Sequence, residues 1–191
     1  MLHIFPHWNW KNGQTIDVWA YYNHADEVEL FLNGKSLGTK KKIGDDLHVM
    51  WRVKYEPGTL KAVSRKKGKA VLSKEIHTAG QPAKIILTAD RKIINADGND
   101  LSFITATVVD KDGNMVSDAN NLIQFTIRGE GLIAGVDNGS ETDLSSFKSS
   151  EHKTFNGLCL AIVRSQTKPG VIQLTAKADR LNASTIMIIS K

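Results

Sequence analysis

Alternation of apolar and polar residues is the sequence feature that most constrains the fold of this chain. The clearest case is segment 47–55, in which Leu, Val, Trp, Val and Tyr alternate with His, Met, Arg and Lys. Neighbouring side chains of a strand point to opposite faces, so this pattern predicts a half-buried β-strand. No long helical stripe of apolar residues occurs in the chain. The sequence therefore predicts an all-β protein.

Turn signals divide the first half of the chain into short strands. Asn33-Gly34 directly follows the apolar run 28–32, and it is a strong hairpin signal because both central residues of that turn need positive φ. Pro57-Gly58 and Lys67-Gly68 mark two further reversals. Strands are predicted at 15–22, 28–32, 35–39, 47–55, 59–64 and 70–78. About six strands in about 80 residues predict a small antiparallel sandwich.

A second set of strand-like segments follows residue 82. These segments are 83–90, 101–110, 122–128, 132–136, 157–165, 171–178 and 183–189. About seven short strands in about 110 residues are typical of an immunoglobulin-like sandwich, although the Cys–Trp–Cys core of antibody domains is absent. The polar stretch 140–153 is predicted as a loop that includes a helical turn.

Residues 79–82, Ala-Gly-Gln-Pro, are the best candidate for a linker, because they join the end of one predicted strand to the start of another. The charge balance changes at the same place. Residues 1–80 hold 13 Lys and Arg against 8 Asp and Glu, whereas residues 81–191 hold 12 of each. The sequence therefore predicts two tandem immunoglobulin-like antiparallel β-sandwich domains, at 1–79 and 83–191.

Charge and hydropathy argue against a nucleic-acid partner and against a membrane span. The basic clusters at 40–42 and 65–69 lie beside turns and are interpreted as solvated hairpin tips. A nucleic-acid-binding domain would need a broader basic face, so no nucleic-acid partner is expected. No apolar run approaches the ~20 residues of a membrane span, and none is predicted. Cys159 is the only cysteine, and its apolar surroundings in the sequence predict a buried structural thiol.

The start of the chain is unusually aromatic. Residues 3–10, His-Ile-Phe-Pro-His-Trp-Asn-Trp, crowd two Trp, two His and one Phe around a proline. Aromatic side chains at this density usually pack against a surface or stack on a flat ligand. No predicted strand precedes them to form such a surface. The segment is therefore expected to follow another domain, which would make the chain the C-terminal part of a larger protein.

Five segments carry a resemblance to a known family. They are 3–10, quoted above, 28–38 (Val-Glu-Leu-Phe-Leu-Asn-Gly-Lys-Ser-Leu-Gly), 78–83 (Thr-Ala-Gly-Gln-Pro-Ala), 96–105 (Ala-Asp-Gly-Asn-Asp-Leu-Ser-Phe-Ile-Thr) and 135–139 (Gly-Val-Asp-Asn-Gly). In this order they resemble the C-terminal region of bacterial glycoside hydrolase family 2 enzymes, most closely the β-galactosidase-like group of Bacteroides. The resemblance covers essentially the whole chain. It departs at Ser140-Glu141, where the family often continues with Asp-Pro.

The resemblance implies a role outside the catalytic domain. Enzymes of this family carry their catalytic glutamates on a (β/α)8 barrel, which takes ~250 residues of alternating strands and helices. This chain has neither that length nor that pattern, so no catalytic residue and no cofactor is expected in it. The implied partner is the catalytic barrel, with carbohydrate as a second candidate. The implied location is periplasmic or secreted, and the oligomeric state stays open.

The acids and histidines show no pattern of a catalytic or metal site. The acids at 45, 46, 97, 100, 110 and 112 lie in turn-like or strand-end segments and are interpreted as solvated turn formers. His3 and His7 are four residues apart, but a proline lies between them and no third zinc ligand is near. Asp110 begins a stretch that resembles the start of a calcium-binding loop. Met115 and Asn121, however, occupy the positions at which such a loop needs Gly and Glu. No metal site is predicted.

His7, Trp8 and Trp10 are the candidate substrate contacts in the complete enzyme, because sugar C–H faces stack on Trp and imidazoles hydrogen-bond to hydroxyls. Packing of this segment against the barrel or the first sandwich is the alternative.

Two other functions stay open for the chain. An exposed coplanar aromatic platform would favour an independent carbohydrate-binding module. The pattern at 96–105 also resembles invasin-type domains, which leaves open an adhesin-like spacer or protein-binding arm.

The purified chain should hydrolyse neither aryl galactosides nor aryl glucuronides, because it lacks a barrel and a plausible pair of catalytic carboxylates. Release of the chromogenic aglycone measures this directly. Turnover that survives further purification, and that disappears when one acid of this chain is replaced, would contradict the prediction.

Overall fold

The computed structural model describes all 191 residues and consists of sixteen strands joined by turns and loops. It contains no helix, and so none long and apolar enough to cross a membrane. The chain divides into two compact units, Met1–Ala79 and Gly80–Lys191, and each unit contains two sheets. The prediction of an all-β fold of antiparallel sandwiches is confirmed.

The first unit contains seven strands, which form a three-stranded sheet β1–β2–β5 and a four-stranded sheet β4–β3–β6–β7. The strands are β1 (Leu2–Phe5), β2 (Thr15–Tyr22), β3 (Glu27–Leu32), β4 (Lys35–Lys40), β5 (His48–Lys54), β6 (Thr59–Lys66) and β7 (Lys69–His77). Alternate residues of both sheets face each other in one core, which includes Val18, Leu30, Trp51 and Leu60. This is the arrangement of a β-sandwich, in which each sheet buries one face.

Two hairpins have the turn chemistry that the sequence indicates. In the register of β3 and β4, Leu32 lies opposite Lys35, so Asn33 and Gly34 form a two-residue loop with φ of 51° and 81°. Lys67 and Gly68 join β6 to β7 in the same way, with φ of 49° and 76°. Positive φ at both positions is what this hairpin turn requires.

The chain begins with a strand that alternation did not predict. β1 pairs with β2 so that Ile4 lies opposite Ala20 and Phe5 opposite Trp19. Ile4 is buried in the core, while Phe5 faces outward. Four residues followed by a proline are too few to show a period of two, so only the pairing with β2 identifies β1 as a strand.

The second unit contains nine strands in a four-stranded sheet β12–β14–β10–β8 and a five-stranded sheet β13–β11–β15–β16–β9. They are β8 (Lys84–Ala89), β9 (Ile93–Ile94), β10 (Leu101–Val109), β11 (Leu122–Gly129), β12 (Gly131–Asp137), β13 (Glu151–Lys153), β14 (Leu158–Ser165), β15 (Gly170–Lys177) and β16 (Ser184–Ser190). Ile104, Ile123, Ile172, Leu174 and Ile188 are fully buried between these sheets. All seven predicted strands are present, with each end shifted by at most one residue.

Two short strands and one loop differ from the prediction. β9 and β13 are only two and three residues long, too short for a sequence pattern, and β9 pairs with β16 in parallel rather than antiparallel. The stretch 140–153 consists of turns and bends that end in β13, and the helical turn predicted there is absent. Its serines and acids cap backbone N–H groups of these turns, which competes with a helix.

Asp110 corrects the prediction that the acids in turns are all solvated, because its side chain is only 2% exposed. Its carboxylate accepts hydrogen bonds from the backbone N–H groups of Gly80 (2.8 Å), Asp112 (2.9 Å) and Asn114 (2.9 Å) and from the Asn114 amide (3.1 Å). Burial alone would raise the pKa of Asp110, but these four donors lower it to about 2. The side chain of Asp110 thus closes the turn at 110–114 with Asx hydrogen bonds and also holds the first residue of the second unit.

The lowered pKa of Asp110 makes its contribution to stability depend on pH. Because the pKa is lower in the folded state than its ordinary value of 3.8, the contribution is complete above about pH 4. It is lost as the pH falls through the folded value of about 2.

A piece beginning at Thr78 and a piece spanning 83–191 should both unfold cooperatively in urea, because the second unit has its own core. The shorter piece should be less stable by about 2 kcal/mol, since it lacks the Gly80 N–H that bonds to the buried Asp110 carboxylate. In an Asp110→Ala background the truncation should make no further difference. Circular dichroism at pH 7 measures all four proteins. A molten product that binds ANS, from either wild-type piece, would contradict this prediction.

Candidate functional site

The aromatic start of the chain closes one end of the first unit, and Trp8 is its buried centre. The Trp8 side chain is 1% exposed and meets the Tyr55 ring edge-on, with ring centroids 5.1 Å apart. Its indole N–H donates to the carbonyl oxygen of Glu56 at 3.1 Å. A ring enclosed in this way has no face left for a ligand, so the set of candidate sugar contacts narrows to His7 and Trp10.

The backbone beside Trp8 is held by residues far along the chain. The Thr78 hydroxyl donates to the carbonyl oxygen of Trp8 at 2.9 Å, and the Ala79 N–H donates to the side-chain oxygen of Asn9 at 2.9 Å. The Thr78 hydroxyl also lies 3.2 Å from that of Tyr55. Residues of the same unit that directly follow β5 and β7 therefore support the aromatic segment. This is the packing against the first sandwich that the sequence left open as the alternative.

His7 and Trp10 form a stacked pair at the same end of the unit. Their rings are nearly parallel, with centroids 4.5 Å apart, and the Trp10 indole N–H donates to the carbonyl oxygen of His7 at 2.9 Å. The backbone N–H of Asn9 donates to His7 Nδ1 at 3.1 Å, so the neutral ring carries its hydrogen on Nε2. Both rings are half-buried. The pair offers an aromatic surface and an imidazole, the groups that bind a sugar ring.

The other two tryptophans lie on opposite faces of the sheet β1–β2–β5. Trp51 is in the core, as the alternation predicts, and its indole N–H donates to the Gly38 carbonyl at 3.2 Å. Trp19 lies on the outer face beside Phe5.

The acids form no catalytic pair. Asp97 accepts hydrogen bonds from the N–H groups of Asn99 and Asp100, and Asp100 accepts from Asn95 and from Arg91. The Asn99 N–H is the main cause of the lowered pKa of Asp97, and the Asn95 N–H has the same effect on the pKa of Asp100. A general acid of a glycosidase needs a raised pKa, and these carboxylates are shifted the other way.

The chain has no group of three or more His, Cys, Asp or Glu side chains that could hold a metal ion. Cys159 is buried, as predicted from its sequence context, and burial raises the pKa of its thiol to about 12. A thiol with so high a pKa is not a nucleophile at neutral pH.

An open cleft of about 660 Å³ beside the loop 140–153 is a feature that sequence reasoning missed. Its lining includes Asp143 and His152, with Asp143 Oδ2 3.8 Å from His152 Nδ1. Hydrogen bonds from Ser145 and Asn138 hold the pKa of Asp143 at about 2. His152 is buried, and its Nε2 atom has no hydrogen-bond partner. Only the polarity of the stretch gave a signal in the sequence, and that signal indicated a loop.

Trp8→Ala should destabilise the first unit by about 4 kcal/mol, because it removes a buried ring from the core. Trp10→Ala should cost about 1 kcal/mol, since that ring is half-buried. All four tryptophans lie in the first unit, so tryptophan fluorescence during urea unfolding reports on that unit alone. Trp8→Phe is the matched control, and it should lie between wild type and Trp8→Ala. Equal losses for Trp8→Ala and Trp10→Ala would contradict the structural distinction between the two residues.

Comparison with known proteins gives two family matches. The family described as "Glycoside hydrolase family 2 C-terminal domain 5" matches residues 85–187, and a "Domain of unknown function (DUF4982)" matches residues 13–72. The first match alone covers more than half of the chain.

Similar proteins come from Bacteroides species. "Beta-galactosidase BoGH2A" of Bacteroides ovatus is 54% identical over 188 residues, which cover 98% of this chain and 22% of that protein. A crystal structure of a glycosyl hydrolase family 2 member from Bacteroides cellulosilyticus is 41% identical, with a TM-score of 0.89 over 97% of this chain and 24% of that one. A beta-glycosidase from Bacteroides vulgatus is 32% identical, with a TM-score of 0.91 over 98% of this chain and 24% of that one.

This chain therefore spans about a quarter of the length of the relatives that it matches. The resemblance that the sequence motifs indicated is confirmed by the family match, by the identity and by the fold. The chain belongs to glycoside hydrolase family 2, as part of the C-terminal region of a β-galactosidase-like protein.

Proposed function

We propose that this chain is a non-catalytic accessory part of a β-galactosidase-like enzyme, where it packs against the catalytic barrel and helps to shape the sugar site. The observation that carries the proposal is the absence of any helix in a chain of this family. The catalytic barrel needs helices alternating with strands. The family resemblance also favours a periplasmic or secreted location.

An exposed surface of the second unit supports docking on a larger domain. We call it the apolar face; it is the outer face of the four-stranded sheet and comprises Ile86, Phe103, Leu158, Leu160 and Ile162. On β14, Leu158, Leu160 and Ile162 alternate with Cys159, Ala161 and Val163, which point into the core.

The register places four of these side chains next to one another. Leu158, Leu160 and Ile162 follow one another on the outer side of β14, and Phe103 lies opposite Ile162. Ile86 stands apart, because Thr107 lies between it and Leu158. Phe103 is 40% exposed. Monomeric proteins rarely expose a contiguous apolar surface of this kind, which is typical of an interface.

The stacked pair of His7 and Trp10 is the proposed contribution to the rim of the sugar site. The pair is rigid, because the Trp10 indole and the Asn9 backbone both bond to His7. Trp8 would act indirectly, because its burial fixes the backbone between the two rings. Pre-organised aromatic surfaces bind a ligand with little loss of conformational entropy.

In the complete enzyme, Trp10→Ala should lower kcat/KM for an aryl β-galactoside by about tenfold, because about 1.4 kcal/mol of contact with the sugar would be lost. Trp10→Phe is the control, since it keeps a ring for stacking and should keep most of the activity. The melting temperature of each variant is measured beside its kinetics. Unchanged kinetics together with a lowered melting temperature would show that His7 and Trp10 only pack.

A further inference from the structure

The outer face of the sheet β1–β2–β5 carries a row of aromatic side chains. The residues that alternate with them, among them Ile4, Val18 and Ala20, lie in the core, so these rings must face outward. The register aligns Phe5 with Trp19 on adjacent strands, and Tyr21 with His48. We call Phe5, Trp19, Tyr21 and His48 the aromatic face.

The four rings contact one another across the three strands. Phe5 and Trp19 are nearly parallel with centroids 5.4 Å apart, and His48 lies 5.7 Å from Trp19 and 5.1 Å from Tyr21. Phe5 is 47% exposed, and the other three are half-buried. The surface is therefore both apolar and able to form hydrogen bonds, through the Tyr21 hydroxyl and the His48 imidazole.

A polar depression of about 240 Å³ continues this surface at its His48 end. Its lining includes His48, Lys40, Lys41 and Asp46. Asp46 is held by the Ile43 N–H, which donates to its carboxylate at 3.2 Å. The depression thus offers ammonium donors, a carboxylate acceptor and an imidazole within reach of one small ring.

The charges around the aromatic face and the polar depression nearly cancel. Lys41 lies 3.4 Å from Glu27, and Lys40 is offset by Asp46 in the depression. At the other end of the sheet face, Arg52 is bonded to both carboxylate oxygens of Asp17, at 2.8 and 3.0 Å. A site of this kind has no excess charge with which to select an anionic ligand.

We propose that the aromatic face and the adjoining depression form a binding site for a neutral oligosaccharide. Sugar rings combine apolar C–H faces with hydroxyls that both donate and accept, and this site combines rings with donors and acceptors. One sugar unit stacks on the exposed ring of Phe5, which Trp19 supports from its other side, and the next occupies the depression, where Asp46 and His48 bond to its hydroxyls. This inference goes beyond the accessory role proposed above and does not depend on it, because it assigns ligand binding to the first unit itself.

Calorimetric titration of the full chain with β-1,4-linked galactotetraose, cellotetraose and tetragalacturonic acid tests the assignment. At least one neutral tetrasaccharide should bind, and Trp19→Ala should weaken that binding by about tenfold or more. Asp46→Ala should weaken it too, and this exposed residue can be replaced without harm to the core. Phe147→Ala, an exposed aromatic residue of the second unit, is the matched control and should leave binding unchanged.

Three outcomes would overturn the proposal. They are no heat of binding with either neutral sugar up to about 10 mM, binding of tetragalacturonic acid alone, and binding that persists in both Trp19→Ala and Asp46→Ala. Sedimentation of each protein without sugar adds a fourth test, since self-association that Trp19→Ala abolishes would identify the face as an interface between copies. These measurements use the chain alone, so they can fail independently of the kinetic test of the accessory role.

Discussion

Each of the four sheets in this chain can bury only one face inside its own unit, and the remaining faces determine what the protein can bind. A strand that places Val18 and Ala20 in the core must present Trp19 and Tyr21 outward. Outward positions of an antiparallel sheet are polar when they meet only water. The apolar face of the second unit and the aromatic face of the first depart from that rule, and exposed faces of this kind are typical of binding surfaces. Interior packing therefore explains the fold, and the two exposed faces that depart from the rule are where we propose that partners bind.

Much of the fold could be predicted because it depends on local patterns. The strand at Thr15–Tyr22 and the turn at Asn33-Gly34 follow from alternation and from the need for positive φ. The strands that were missed, β1, β9 and β13, are too short to show a period, and each exists because a distant strand pairs with it. Asp110 was misjudged for a related reason, since the Gly80 donor that helps to bury it lies 30 residues away.

The candidate site shows the same limit. Aromatic crowding at 3–10 marked the right segment, but its three candidates have different environments in the structure. Trp8 is enclosed by residues near Tyr55 and Thr78, contacts that no local pattern encodes. His7 and Trp10 stack beside it, and both rings are only half-buried. The aromatic face could not be predicted at all, because it needs the register that brings Phe5, Trp19 and His48 together across three strands.

The single cysteine has a practical consequence for work on this protein. Cys159 is enclosed in the second unit, and its thiolate forms only near pH 12. Maleimide dyes and spin labels react with thiolates, so the native chain is silent towards them at neutral pH. A cysteine introduced on either unit would then be the reactive position of this chain, without prior removal of Cys159. Motions within the chain could thus be followed by fluorescence or electron paramagnetic resonance with one substitution per probe.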